Sequence, residues 1–300
     1  MNFQEQSVKF IAEIGSRKRN PAKPSTVASY QNALDCHILP DLGSLDLSKV
    51  ENGVLKSFVA KLAGKGLAPA TISRVVAVVK SVVSSAVDAN GNELFPRKWN
   101  NDFIDLPVIQ DQKAPTVSPD RIQTAIGEAI GQDKALIALL AGTGLRIGEA
   151  LALTSEDWDQ QNMTISVTKT VSLGEIQNST KTAAGKRTVD LSPELNQYLQ
   201  TWIGQPEPQK PLFQSETGGV YRRMTAYEHL AKVGVPGFHS LRRFRVTRLR
   251  KTGVPEGLVK FWTGHADKSI TDLYDRIGED VEARKDFTKK AGLGFRLGAA

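Results

Sequence analysis

The chain has 300 residues, 40% hydrophobic and 24% charged, a globular composition with length enough for two domains. Lys and Arg number 39 against 32 Asp and Glu, so the formal net charge is +7, a balance that favours polyanions and first of all nucleic acid as partner. One cysteine, Cys36, excludes an intramolecular disulfide and fits a reducing cytoplasm, and with four scattered histidines it offers no zinc spacing, so no metal is expected.

The opening run MNFQEQSVKFIAEIGSRKRN is broken by charge every few residues, unlike a signal peptide. No later run is long and apolar enough for a bilayer, so no membrane partner is expected. SVKFIAEIG reads as a short amphipathic helix. PSTVASYQNALDCHIL reads as a helix capped by Ser25 and stopped by Pro40. LSKVENGVLKSFVAKLAGKG ends on Gly64 and Gly66. APATISRVVAVVKSVVSSAVDANG carries a long apolar stripe and stops at Asn90-Gly91. Residues 1–100 therefore predict a helical bundle, 101–117 a linker, and 118–300 a second domain. That second domain begins with a helix capped by Ser118, with Pro119 in its first turn. Two helices broken by GTG follow, then a small antiparallel sheet from MTISVTKTVSL and KRTVDLS. A helix opens at Ser192-Pro193, and the chain is helical again from Gly237. The fold class is mainly α with a small antiparallel β-sheet.

Three stretches could carry chemistry. HSLRRFRVTRLRK, residues 239–251, has six basic residues and no acid. On a helix His239, Arg243 and Arg250 project to nearly one side with Arg242 on its shoulder. The bland reading is a solvated basic face; the missing acids favour a phosphate-facing helix with Arg245 contributing. AGTGLRIGEAL places Arg146 after a glycine turn, with Glu149 one turn on to hold it. Arginine suits phosphate because its planar fork donates two parallel hydrogen bonds and stays charged. STKTAAGKRTVDLS sets Lys181, Lys186 and Arg187 in or beside a turn between strands, where a basic side chain can reach a DNA groove. Alone, each of the last two stretches is more often an ordinary surface turn.

In chain order these give Arg146, Lys181, His239-x-x-Arg242, and then GHADKSITDLY with His265 and Tyr274. The series GTGLRIGEALAL, TKTAAGKRTVDL, HSLRRF and GHADKSITDLY resembles the tyrosine recombinase (phage integrase) family. HILPDLGSLDLSKV and LAPATISRVVAVVKSVV look like that family's core-binding, SAM-like domain. The resemblance implies a mixed α/β catalytic domain and a site-specific recombinase acting on double-stranded DNA. It implies that Tyr274 attacks a phosphodiester to give a 3′-phosphotyrosine and a 5′-hydroxyl. It implies that Arg146 and Arg242 bind the scissile phosphate, that His239 accepts the tyrosine proton, and that His265 donates to a non-bridging oxygen. Lys181, or else Lys186, would protonate the leaving oxygen. A phenol of pKa about 10 needs such help at neutral pH. No metal, ATP or other cofactor is implied. Two positions depart from the family: Arg243 where histidine is frequent, and Thr263 where leucine is common.

The resemblance also implies a homotetramer on paired sites, with the tail DVEARKDFTKKAGLGFRLGAA docked on a neighbour through Phe287, Leu293 and Phe295. Packing of the tail on its own subunit is the competing reading. Two other functions compete: a type IB topoisomerase with the same chemistry, and a helix-turn-helix regulator pivoting on Gly253-Val254-Pro255. Of the five tyrosines, only Tyr274 ends a motif rich in phosphate ligands; Tyr198, Tyr221 and Tyr227 lie in segments without that His and Arg pattern.

Overall fold

The computed structural model describes residues 1–300 apart from 110–113, 179–185, 205–206, 265–276 and 299–300. It divides into two compact units, Met1–Gln112 and Lys113–Ala300. No helix among the described residues is long and apolar enough to cross a membrane.

The first unit is helical. Helix α1 (Phe3–Ser16) starts earlier than its apolar stripe suggests, because Asn2 and Glu5 form a reciprocal capping box. Helix α2 (Pro24–Ala33) is entered from an extended Lys23, not a Ser25 cap. A residue before proline avoids the helical region, and Pro24 fits the first turn. Nor does Pro40 end the helical path. A π-helical turn at Leu34–Ile38 leads into α3 (Leu39–Leu42), where Pro40 again occupies the first turn. Helix α4 (Asn52–Gly64) and helix α5 (Pro69–Ser84) complete the bundle. Helix α5 inserts Ile72, Val75, Val76, Val79, Val82 and Val83 into a core with Phe3, Ile38, Leu55 and Leu62. It ends at Ser84, before Asn90-Gly91, and Asp88 then accepts from the backbone of Asn90 and Asn92 and bends the chain into a turn. Residues expected to begin the linker belong to this unit: α6 (Asn101–Ile104) is capped by Asn100 and buries Ile104.

The second unit is built around α8 (Gln132–Thr143). This helix is buried on nearly every side, as its uniformly apolar sequence requires. Helix α7 (Pro119–Glu128) packs against it and carries the expected Ser118 cap. Helix α9 (Ile147–Leu151) follows after the turn at Gly144. The predicted strand run divides in two. Strands β1 (Trp158–Asp159) and β2 (Thr164–Val167) form a three-stranded antiparallel sheet with β5 (Arg187–Asp190), in the order β1-β2-β5. Strands β3 (Thr170–Ser172) and β4 (Glu175–Gln177) form a separate hairpin. Helices α10 (Pro193–Ile203), α11 (Arg223–Lys232), α12 (Phe238–Lys251), α13 (Glu256–Thr263) and α14 (Val281–Ala291) complete the unit. Ser192 caps α10 by accepting from the Leu195 amide.

Helix α9 lies against β3 because Gly148 has no side chain. A Cβ there would meet Thr170 Oγ1 at 2.8 Å and the Val171 carbonyl oxygen at 2.9 Å. The carbonyl is backbone and cannot swing away. In Gly148→Ala the gain in helix propensity, about 1 kcal/mol, opposes an overpacking cost of about 1–3 kcal/mol. The expected outcome is net destabilisation, read as a lower thermal midpoint; an unchanged or raised midpoint would show that β3 yields freely.

Candidate active site

The site is organised by the C-terminal end of α13. Three successive carbonyls there each accept from a different arginine. Trp262 O accepts from Arg187 Nε at 2.7 Å, Thr263 O from Arg242 Nη2 at 2.6 Å, and Gly264 O from Arg146 Nη2 at 3.1 Å. A helix leaves its last carbonyls unpaired and carries partial negative charge at that end, so guanidinium groups satisfy both needs. Gly264 ends the helix in the left-handed conformation, φ +63°. Thr263, one of the departures from the family pattern, turns its hydroxyl back onto Val259 O at 2.7 Å and costs the helix no orphan group.

Glu149 holds the same arginines from the other side. Its Oε1 accepts from Arg146 Nη1 at 2.8 Å and its Oε2 from Arg187 Nη2 at 2.8 Å. It also accepts from the Arg146 backbone amide at 2.9 Å, closing the first turn of α9. Burial alone would raise this carboxyl's pKa; Arg187 and then Arg146 outweigh it, and the pKa lies below the ordinary value. Arg242 is buried, and desolvation first, then Arg146, pull its pKa down to about 10. It still carries its charge at neutral pH. Its Nη1 donates to Gly144 O at 2.7 Å, fixing the glycine turn that precedes Arg146. Arg146 keeps a third of its side chain exposed.

His239 stands in the first turn of α12, an end where helix amides attract anions. Partial burial, followed by Arg242, Arg243, Arg146 and Arg223, lowers its pKa below 6.5. The shift favours the neutral ring. The expected set of Arg146, Glu149, His239 and Arg242 is thus gathered. Lys181, His265 and Tyr274 lie outside the described residues.

The DNA-facing expectations fare unevenly. Lys186 is exposed. Arg243 is half-buried and donates to Pro115 O at 2.7 Å. Arg250 is exposed but gripped by both oxygens of Glu256. Arg187 and Arg245 do not face outward. Arg187 shares the inward face of β5 with Val189, an alternation visible in RTVD. Arg245 is buried, donates to Gly292 O at 2.6 Å, and has a pKa lowered to about 10 by desolvation and by Arg248. Arg248 donates in turn to Ala291 O at 2.9 Å. Half of the acid-free basic run therefore serves helix ends inside the unit.

The tail packs at home. Leu293 is buried in the second unit's core, Phe287 lies against that core, and Phe295 meets Phe244 edge-on. A second constellation escaped the sequence reading. The Tyr221 hydroxyl donates to Asp133 at 2.9 Å, and His229 Nδ1 lies 2.7 Å from the same carboxylate. Burial, then Asp133, pushes the Tyr221 pKa far above the ordinary phenol range, which disqualifies it as a nucleophile.

Parts of both units match known protein families. Residues 117–279 match the Phage integrase family, and residues 16–63 match the phage integrase N-terminal SAM-like domain. The chain belongs to the phage integrase family. The tyrosine recombinase XerS of Streptococcus sanguinis (strain SK36) is 30% identical over 184 residues, which is 57% of this chain and 49% of that protein. The chain thus spans about half the length of the curated relatives it matches. The Tn1549 transposon integrase, solved in complex with transposon right end DNA, has TM-score 0.69 at 20% identity over 93% of this chain and 99% of that one. A lambda integrase tetramer bound to a Holliday junction gives 0.66 at 12%, over 91% and 77%. At these identities the structural likeness is one of fold.

Removing the carboxylate takes from buried Arg187 the acid it is paired with. Glu149→Ala is expected to destabilise the unit by about 3–5 kcal/mol, the cost of breaking a buried pair, and Glu149→Gln by less. Calorimetry of the variants checks this; equal midpoints for parent and Ala variant would show that the pair contributes nothing.

Proposed function

We propose that the chain is a site-specific DNA recombinase that cleaves and rejoins double-stranded DNA through a 3′-phosphotyrosine, acting as a homotetramer on paired sites. The observation that carries this reading is the convergence of Arg146 and Arg242 on the end of α13. XerS is named a tyrosine recombinase, and the lambda and Tn1549 integrases were solved on DNA, which supports the same assignment here.

In this reading Arg146 and Arg242 hold the non-bridging oxygens of the scissile phosphate. Tyr274 Oη bonds to phosphorus while the P–O5′ bond breaks. His239 takes the phenol proton, Lys181 or Lys186 gives one to O5′, and His265 steadies the phosphoryl oxygens. Donors fixed before the reaction are worth about 10²–10³ in rate each. The phosphotyrosine conserves the bond for rejoining, so no cofactor is called for. The Gly253 turn between α12 and α13 has the form of a helix-turn-helix, but the second helix spends its C-terminal end on arginines. That use favours a catalytic frame over a regulator. Relaxation of a supercoiled plasmid, compared with recombination between two sites, separates a topoisomerase from a recombinase.

On a nicked suicide duplex, Tyr274→Phe should bind as the parent does and form no covalent adduct. Arg146→Ala should lose cleavage by about 10²-fold or more while binding falls far less, since many cations meet the backbone. An adduct on another tyrosine, or full cleavage by Arg146→Ala, would overturn the assignment.

The His239 pKa gives a signed prediction. A base works only when unprotonated, and a lowered pKa keeps it so into mildly acid solution. Cleavage at subsaturating enzyme should fall on acidification, and at lower pH than an ordinary imidazole would set. Removing one of the charges that lowers it, in Arg223→Gln, should move that fall toward higher pH. A parent profile that does not fall on acidification would remove His239 from the role of base.

A further inference from the structure

The chain leaves α13 at Gly264 and returns to it at Gly278. On the outgoing side Thr263 and Gly264 are held by Arg242 and Arg146. On the return side a different pair does the holding. Gly278 lies so close to Phe261 of α13 that a Cβ would meet the ring at 2.6 Å. Its carbonyl accepts from Arg284 Nη1 at 2.7 Å, and the Arg284 guanidinium sits over the same Phe261 ring, 5.6 Å from its centroid. Arg284 Nε donates to Asp190 Oδ2 at 2.9 Å, and that oxygen also accepts from the Trp262 indole at 2.8 Å. One carboxylate on β5 thus fixes both α13 and the return of the chain to it.

We infer that Asp190 and Arg284 are positioning residues for the attack of Tyr274, anchoring the segment that carries it at its exit. The inference rests on Tyr274 being the nucleophile. Asp190, Arg284 and Trp262 are all more than nine-tenths buried. A buried ion pair is weak evidence for stability, because apolar groups of the same volume often serve as well. What directional bonds add is a single geometry. Arg284 spans Asp190 on one side and the Gly278 carbonyl on the other, so the strand and the return point cannot shift independently. Tyr274 stands shortly before Gly278 in the chain. Misplacing a reacting group by about 1 Å can cost about 10²-fold in rate. Neither residue belongs to the set assigned to the phosphate, so their loss should weaken attack by the tyrosine and spare phosphate activation.

Two substrates separate those effects. A nicked suicide duplex requires Tyr274 to attack. A duplex whose strand ends in a 3′-p-nitrophenyl phosphate does not: a 5′-hydroxyl attacks phosphorus, the aryl P–O bond breaks, and nitrophenolate leaves. In full-length Arg284→Met, which keeps a stem over Phe261, and in isosteric Asp190→Asn, suicide cleavage should fall between about tenfold and 10²-fold. Nitrophenolate release and site binding should stay within about twofold, and Arg284→Lys should recover part of the cleavage. Equal losses on both substrates would reduce the pair to general support of α13 and overturn the inference. Full cleavage by Asp190→Asn would overturn it as well, and that variant answers the question if Arg284→Met fails to fold. Tyr274→Phe run beside them tests the underlying reading separately: nitrophenolate release without cleavage upholds it, and cleavage would sink the nucleophile assignment itself.

Discussion

The C-terminal end of α13 is the constraint on which the site depends. Its carbonyls must be paired, and three arginines from three different elements do the pairing: Arg146 before α9, Arg187 on β5 and Arg242 on α12. Each bond runs between groups distant in sequence, so the site exists only when the second unit has folded. Gly144 and Gly148 make the approach possible. The first turns the chain into Arg146 and accepts from Arg242, and the second lets α9 lie against β3.

The charge balance of the cluster follows from the same contacts. Among the described residues, Arg146 and Arg187 share one carboxylate, Glu149, and all three guanidinium groups meet a helix end with about half a negative charge. The remainder is positive. Arg242 and Arg187 are desolvated before any ligand arrives, so their alignment needs no reorganisation later. Such cations stay charged because guanidinium is far more basic than lysine's ammonium, which shifts readily on burial. Burial first and then the same excess of charge lower the His239 pKa, so in the proposed mechanism one cluster both attracts phosphate and keeps a base available.

Much of this was legible in the sequence. The order Arg146, Glu149, His239, Arg242 names the gathered residues, and the Ser118 cap and the helix start at Ser192-Pro193 are legible because N-capping is a local interaction. What was missed is non-local. Lys23-Pro24 overrode Ser25, and Pro40 proved compatible with a new helical turn. Arg187 was taken for a surface cation although its alternation with Val189 points inward. Its carboxylate lies 38 residues away, on Glu149. The tail's apolar residues asked for burial, and sequence alone does not say on which copy.

The basic run of α12 shows why a charge count misleads. HSLRRFRVTRLRK holds no acid, which reads as a helix awaiting a polyanion. Yet Arg242, Arg245 and Arg248 recur every third residue and each donates to the final carbonyls of a helix. Arg242 serves α13, while Arg245 and Arg248 serve Gly292 and Ala291 at the end of α14. Peptide dipoles supply the negative charge that Asp and Glu would otherwise provide. Carbonyls are also fixed in direction by their helices, so they aim the guanidinium groups as well as neutralise them. Of the gathered residues, His239 and part of Arg146 stay exposed while Arg242 is buried. For the proposed role, guanidinium groups aimed by buried partners suit one phosphate in one orientation, which a uniformly solvated basic helix would not achieve.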